Sequence, residues 1–512
     1  MSAPASRPRT LADLARLLRA SPSDPGAAGL ELRGLADDSR DVGRGDVFFA
    51  RRGSRARGRD FVADARSRGA VVVVADEAPE GEGPFLLVDD VPTALRSAAD
   101  AWFGRPQDAL RLVGITGTKG KTTVAHVATQ VLRRAGRPTA VLGTIGHDLG
   151  DAKPPRPTET TTPGALALRR LLAEARDAGV TTCVMEVSSH ALDQGRTTGL
   201  AFDVAVLTNV ASDHLDYHVS HEAYVAAKRR LVEELAADAT ALLPSDDAQG
   251  AAFAAATPAR VVTYGTAVTA DLRMHDLAVG PGGSRFSLSS SEGVVDVSTL
   301  LVGRHNALNV TAALGICRAL GVRLADAARH VAAVRGVRGR LERIEGAADV
   351  AVFVDYAHTE DALRQVLAHL RATGAAPLVC VIGCGGDRDR TKRPRMAAAA
   401  CAAADLVVLT SDNPRSEDPR AILAEMEAGV PAASRHAVRV VPDRRAAIEI
   451  AIGEAPAGAT VLLAGKGHET VQVLGPRRIP FDDAAEARRA LALRASAAAM
   501  RRPGAHPGQD EV

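Results

Sequence analysis

The residue types best suited to chemistry gather first in one loop, Gly114-Ile115-Thr116-Gly117-Thr118-Lys119-Gly120-Lys121-Thr122-Thr123. An apolar stretch, Leu110 to Ile115, precedes it, and a helical pattern from Thr122 to Ala135 follows. A loop between strand and helix turns backbone N–H groups and a helix N-terminus toward phosphate oxygens. Glycine is needed there because a Cβ would block close approach or the positive φ that such a turn demands. Lys121 would neutralise β/γ-phosphate charge, and the Thr122 hydroxyl would hold Mg²⁺. Gly117, Thr118, Lys119, Gly120 and Thr123 complete this ATP loop. A bare G-K-T can be only a turn, but the strand before and helix after favour phosphate binding. The generic spacing would place its first glycine at position 115, where Ile115 stands. The glycine is Gly114, one residue earlier, which marks a subclass of such loops.

Other candidates lie at element ends. Glu186 follows the apolar run Cys183-Val184-Met185, at the strand end where α/β sheets place their ligands. His214 sits in Asp213-His214-Leu215-Asp216, and alone such a histidine reads as structural. Lys228 lies in the helical stretch Ala223 to Leu235 beside Arg229 and Arg230, and physics alone reads it as a solvated lysine. Asp355 ends an apolar run and could cap a helix as readily as bind a ligand. Asp412-Asn413-Pro414-Arg415 is a plausible turn, or a site where a guanidinium holds a carboxylate bidentately.

The elements that must position these groups alternate strand and helix along most of the chain, which implies doubly wound α/β blocks with mostly parallel sheets. At 512 residues the chain exceeds one core. The pattern divides it into an N-terminal α/β domain over 1–106, a central phosphate-loop domain over 107–336, a Rossmann-like C-terminal domain over 337–495, and a disordered tail over 496–512. Between about Leu242 and Leu301 short strand-like pieces with Gly and Ser turns predict an antiparallel addition to the middle domain. Hydrophobic residues make up 46% and net charge is +2, so neither a nucleic-acid nor a disordered class is favoured. No stretch of eighteen apolar residues occurs, and the five cysteines lack disulfide or zinc spacing. A cytoplasmic monomer acting on small molecules, without membrane or nucleic-acid partners, is expected.

The loop and the motifs after it resemble the Mur ligase family, whose loop reads G-x-T-G-T-x-G-K-T. The matching segments are Asp38-Ser39-Arg40, Glu159-Thr160-Thr161-Thr162-Pro163, Glu186-Val187-Ser188-Ser189-His190, Thr208-Asn209 and Asp213-His214-Leu215-Asp216-Tyr217-His218. They continue with Ala227-Lys228, Asn306 with Asn309, Asp355-Tyr356-Ala357-His358-Thr359, Gly385-Gly386-Asp387-Arg388-Asp389, Asp412-Asn413-Pro414-Arg415 and Gly465-Lys466-Gly467-His468-Glu469. Within the family the pattern is most similar to the members that add the third residue of the stem peptide. The resemblance implies a UDP-sugar domain, a central ATPase and a C-terminal domain that presents an amino acid. It also implies a reaction: ATP converts a carboxylate to an acyl phosphate, which an amine then attacks.

Roles follow from the same resemblance. Lys121, Glu186, His214 and Lys228 are implied as catalytic, with Thr122, Glu186, His214 and a carbamate of Lys228 as Mg²⁺ ligands. Asn306 and Asn309 would line adenine, and Arg340, Asp355 and His358 would meet ATP from the third domain. Ser39, Thr161, Thr162, Ser188, Gln194 and Arg196 would bind the UDP-sugar dipeptide, although Thr161 and Thr162 could merely cap helices. Arg388, Asp412, Asn413, Pro414, Arg415, Gly465 and Glu469 would hold diaminopimelate. Arg415 would pair with its second carboxylate, and lysine-adding relatives lack that arginine. The chain departs from the family pattern at Gly164, Ser212, His305, Arg338 and Glu360. A paralogue joining L-lysine or a specialised-metabolite substrate, or a nucleotide-binding pseudoenzyme, are the alternatives.

Overall fold

The computed structural model describes residues 7–53, 57–151, 153–158, 160–211, 215–280, 282–346, 349–374 and 377–501. His214, Asp213, Ser212 and Glu159 lie outside the described residues. The chain divides into two compact units, one of 1–273 with 290–292 and 311–327, the other of 274–289, 293–310 and 328–512.

In the first unit, apolar runs such as Val72–Ala75, buried at every position, form a parallel sheet ordered Gly34–Ala36, Asp46–Phe49, Val72–Ala75, Phe85–Leu87. The helices Leu11–Leu18 and Val91–Phe103 cover it, burying Leu11, Leu14, Leu95 and Trp102. A second sheet follows in the same unit. Its strands run Arg260–Gly265, Thr240–Pro244, Val204–Leu207, Arg111–Thr116, Thr182–Glu186, Thr139–Gly143, with antiparallel Gly146–Asp148 at the edge. Thr139–Gly143, Thr182–Glu186 and Val204–Leu207 are buried throughout, as helices on both faces of a parallel sheet require. Arg169, with no exposed surface, links the two blocks, donating to Asp100 Oδ1 at 2.5 Å and to the Thr198 carbonyl at 3.0 Å.

The antiparallel addition begins later than the sequence pattern suggests. Thr240–Pro244 and Arg260–Gly265 pair in parallel, joined by the helix Gln249–Ala256. That crossover is written in alanine, so its periodicity is faint. Only the strands Leu272–Gly280, Gly283–Ser290 and Gly293–Thr299 form the short-turn ladder.

The second unit holds a sheet ordered Glu342–Ile344, Ala351–Asp355, Thr460–Ala464, Leu378–Ile382, Leu406–Leu409, Val438–Val440. All its pairs are parallel except the first. The C-terminal helix Asp483–Arg501 carries through 496–501, residues that composition assigned to a tail. Its first residue, Asp483, forms a fully buried pair with Arg444, whose Nε and Nη2 reach its two carboxylate oxygens at 2.8 and 2.6 Å. Nη2 also donates to the Ala464 carbonyl at 3.0 Å, pinning the end of the central strand. Removing one partner strands a buried charge, so Asp483→Ala is expected to lower the unfolding free energy by about 3–5 kcal/mol. A denaturant midpoint equal to wild type would contradict this. Among the described residues no helix is long and apolar enough to cross a membrane.

Candidate functional site

The phosphate loop leaves the strand Arg111–Thr116 and enters the helix Lys121–Arg134, with Gly120 at φ +89° as its N-cap. Gly117 has φ +144°, and a Cβ there would stand 1.9 Å from Thr208 Oγ1. Thr208 and Asn209 hold the loop from the neighbouring strand end. Thr208 Oγ1 donates to the Lys119 carbonyl at 2.6 Å, and the Lys119 amide donates to Asn209 Oδ1 at 3.0 Å. Lys121 Nζ donates to the carbonyls of Gly117 (2.7 Å) and Thr118 (3.0 Å), so its charge lies over the loop. Thr123 is buried one turn on.

Glu186 ends its strand against this loop with 1% of its surface exposed. The Thr122 hydroxyl donates to its Oε2 at 2.8 Å. Thr144 adds two more bonds: its amide to Oε1 at 2.8 Å and its hydroxyl to Oε2 at 3.1 Å. Gly143 makes room, because a Cβ there would meet Oε1 at 2.2 Å. Thr144 was not singled out by sequence; its only signal is a glycine-threonine pair just past a buried strand. Its hydroxyl also lies 3.1 Å from Thr161 Oγ1. Because the Thr144 hydroxyl donates its one hydrogen to Glu186, it receives from Thr161. Thr144→Val is expected to weaken nucleotide binding about tenfold, a charge-assisted bond being lost. Calorimetric titration with a non-hydrolysable ATP analogue checks it, and unchanged affinity would refute it.

Lys228 is not the solvated lysine its neighbours suggest. It is 1% exposed; Nζ donates to the Gly117 carbonyl at 2.8 Å and lies 4.3 Å from the Tyr224 ring centroid. The Tyr224 hydroxyl meets Thr118 Oγ1 at 3.0 Å. Lysine and tyrosine thus both reach the phosphate loop from the helix His221–Glu233.

The residues expected to bind a UDP-sugar dipeptide divide. Thr162 is fully buried, donating to the Glu186 carbonyl at 2.9 Å and accepting from the Ser188 amide at 3.0 Å, so its hydroxyl is consumed by the fold. Ser188 caps the helix Ser189–Asp193. Arg196 donates to the Thr162 carbonyl at 2.6 Å and clasps Gln194 Oε1 with Nε and Nη2. Thr161, Gln194 and Arg196 keep solvent-facing surface, whereas Ser39 is buried in its turn. Beside Ser39, a side-chain bond from Arg40 holds the Asp38 carboxyl at about 2.

In the second unit, Asn306 and Asn309 share the helix Arg304–Ala319, Asn309 Nδ2 donating to Asn306 Oδ1 at 3.3 Å. Asp355 does not cap a helix. Its carboxylate accepts from the Leu341 amide at 2.6 Å and the Ala357 amide at 2.9 Å, tying together the segments that carry Arg340 and His358. Burial pushes its pKa up. The Arg340 guanidinium lies 5.0 Å from the Tyr356 ring centroid, and His358 Nδ1 lies 2.9 Å from the Tyr356 carbonyl.

The amino-acid candidates converge at the ends of the strands Leu406–Leu409 and Thr460–Ala464. Arg415 adopts φ +54°, and its Nη1 donates to the Gly386 carbonyl at 2.7 Å. Pro414 packs its carbonyl on Gly386, where a Cβ would come within 1.8 Å. Gly465, at φ +109°, leaves 2.9 Å between a would-be Cβ and Asp412 Oδ2. Asn413 Nδ2 donates to Glu469 Oε2 at 2.7 Å. Arg388 is exposed at the rim. Burial pushes the Asp412 pKa up; burial also raises that of Glu469, but Lys466 and Asn413 override it and bring it below the usual range.

A glycine-rich loop facing a buried carboxylate in the first unit, and a cluster of charged and polar groups in the second, fit a nucleotide-dependent α/β enzyme. The family models match most of the chain: the Mur ligase catalytic domain residues 31–101, the Mur ligase middle domain 115–317, and the Mur ligase glutamate ligase domain 339–467. A UDP-N-acetylmuramoyl-L-alanyl-D-glutamate–2,6-diaminopimelate ligase of Geobacillus thermodenitrificans is 44% identical over 89% of this chain and 94% of its own length. Another of the same description, from Synechococcus elongatus, is 44% identical over 92% of this chain and 96% of its own. A solved structure so described superposes with a TM-score of 0.66 at 34% identity, covering 93% of this chain and 98% of that one. The chain belongs to the Mur ligase family, and it is an ATP-dependent ligase.

Proposed function

We propose that this ligase joins diaminopimelate to the terminal carboxylate of UDP-MurNAc-L-Ala-D-Glu, in the assembly of a peptidoglycan precursor. The observation that carries it is the 2.8 Å meeting of Thr122 and Glu186 beside the phosphate loop, together with Arg415 and Glu469 in the amino-acid block. The names of its relatives supply the substrates. The reading places the enzyme in the cytoplasm, as a monomer acting on small molecules.

Mg²⁺ prefers oxygen donors and takes few protein ligands beside phosphates and water. A hydroxyl and a carboxylate oxygen stand together at Thr122 and Glu186, and among the described residues no group of three His, Cys, Asp or Glu forms a competing metal cluster. The donors fit. Thr122 and Glu186 would hold one ion, with His214 and a carbamate of Lys228 serving a second. The bound ion would neutralise phosphate charge.

The protein's own groups supply the rest. Lys121 and the loop amides hold the β- and γ-phosphates, while Asn306, Asn309, Arg340, Asp355 and His358 take the nucleotide. The substrate carboxylate attacks the γ-phosphorus; an acyl–phosphate bond forms as the bond to ADP breaks. Thr161, Gln194 and Arg196 orient the dipeptide so that the carboxylate is in line. The amine then attacks the acyl carbon, phosphate leaves with the bonding pair, and the nitrogen loses a proton. Asp412, Asn413, Pro414, Arg415, Gly465, Glu469 and Arg388 present that amine.

Phosphate release with ATP, Mg²⁺ and UDP-MurNAc-L-Ala-D-Glu, in separate reactions with meso-diaminopimelate, LL-diaminopimelate and L-lysine, tests the reading. A UDP-tripeptide formed with one diaminopimelate isomer and not with lysine supports it. Turnover with lysine instead would overturn the amino-acid assignment, and turnover with none would overturn the substrates.

A further inference from the structure

We propose that Lys466 is the positioning residue of the amino-acid pocket: its buried ammonium orients Asn413 and Glu469 so that one Glu469 oxygen faces outward to receive the substrate's distal ammonium. The inference rests on the amino-acid reading above and deepens it. Lys466 belongs to the Gly465-Lys466-Gly467-His468-Glu469 motif, yet the roles assigned to that motif leave it without one.

Lys466 has no exposed surface. A lysine so buried needs its three N–H donors satisfied. It donates to Asn413 Oδ1 at 3.1 Å, Glu469 Oε2 at 3.0 Å and the Val471 carbonyl at 2.9 Å. Asn413 Oδ1 also accepts from the Val473 amide at 3.0 Å. Two donors on one oxygen fix which way the amide points, so its Nδ2 must face Glu469, where it donates to Oε2 at 2.7 Å. Oε2 is therefore filled by Lys466 and Asn413. Among the described residues none donates to Oε1, and the Glu469 side chain is 33% exposed. A fixed, ionised carboxylate with one open oxygen is a receptor for a cation.

The surrounding charges make the lysine necessary. Asp412 lies 3.9 Å from Nζ, so two carboxyl groups share this cation. Arg444 is the next positive group, and its Nε and Nη2 are committed to Asp483. His468 adjoins Glu469 and attracts it more weakly than Lys466 does, and Tyr356 is coupled electrostatically to Glu469, Asp412, Arg340 and Arg388. Without Lys466, Glu469 would face Asp412 without its strongest cation, and its pKa would rise. A protonated Glu469 cannot attract an ammonium.

Lys466→Met removes the charge and the donors; Lys466→Gln keeps a donor without the charge. Both are compared with wild type in the full chain for KM of all three substrates between pH 6.5 and 8.5. Loss of a charge-assisted contact predicts that KM for diaminopimelate rises about tenfold or more, with KM for ATP and the UDP-dipeptide within about twofold. In both variants that KM falls as pH rises, because the acid must deprotonate to bind, whereas wild type stays flat. Lys466→Met combined with Glu469→Gln is no worse than Glu469→Gln alone. Equal losses for all three substrates, a pH-independent change, or additive losses would each show a pillar of the fold instead. Should Lys466→Met fail to fold, Lys466→Gln decides by the same KM and pH readouts. A wild type that ligates while both variants keep its KM overturns this inference alone. A wild type inactive with every amino acid overturns the functional reading and this inference with it.

Discussion

Lys121→Met is expected to reduce ATP-dependent ligation by about three orders of magnitude, while its melting temperature stays within a few degrees of wild type. The asymmetry follows from where the side chain lies. In the structure Nζ donates to carbonyls of its own loop, at 2.7 and 3.0 Å, and such bonds contribute about 1 kcal/mol each to stability. During phosphoryl transfer the same ammonium faces charge spreading over phosphate oxygens in a water-poor site, where its electrostatic value is several-fold larger. The loop itself persists in the variant, because Thr208 and Asn209 hold it independently. Phosphate release and thermal unfolding, measured on one preparation, check both halves. Activity within tenfold of wild type would remove Lys121 from the chemistry.

Arg415→Met is expected to erase the preference for diaminopimelate over lysine. Diaminopimelate carries a second carboxylate that lysine lacks, and a guanidinium holds such a group bidentately. A site built around a polar partner rejects substrates that leave it unpaired by large factors, because the unpaired charge is stranded. Losing the arginine should raise KM for diaminopimelate about a hundredfold, with lysine little changed. The fold should tolerate the change: Arg415 hangs on the backbone, its amide bonded to the Val473 carbonyl at 3.0 Å and its guanidinium to a single carbonyl. The ratio of kcat/KM for the two amino acids is the measurement, and an unaltered ratio would place specificity elsewhere.

Much of the site was legible because it rests on local rules. A glycine-rich loop between strand and helix favours an anion, and Glu186 could be placed at a strand end because apolar runs end where sheets bind ligands. Lys228 shows a signal that was present but outweighed. Tyr224, Ala227, Lys228 and Leu231 stand at helical spacing and form the buried stripe of their helix, so the lysine lay on the apolar face all along. The arginines beside it drew attention to solvent. Thr144 was illegible, since its value comes from a carboxylate 42 residues away. Arg169, Arg393 and Arg444 were equally hidden, for a fully buried arginine has the same letter as a solvated one. The parallel pairing of Thr240–Pro244 with Arg260–Gly265 was missed because the helix between them is nearly all alanine and glycine around Phe253, with no polar face to set its period.

The contrast between Arg415 and the groups beneath it has an evolutionary reading. Arg444 and Asp483 form one wholly enclosed pair, and Lys466 is enclosed against Glu469 and Asn413, so a lineage that alters one member must alter its partner at once. Arg415 is tied by one guanidinium bond and a left-handed backbone turn, and its loss strands no buried charge. With the role proposed for Arg415, a single codon change erases the discrimination between diamino acids, while inheritance of the scaffold below goes on undisturbed.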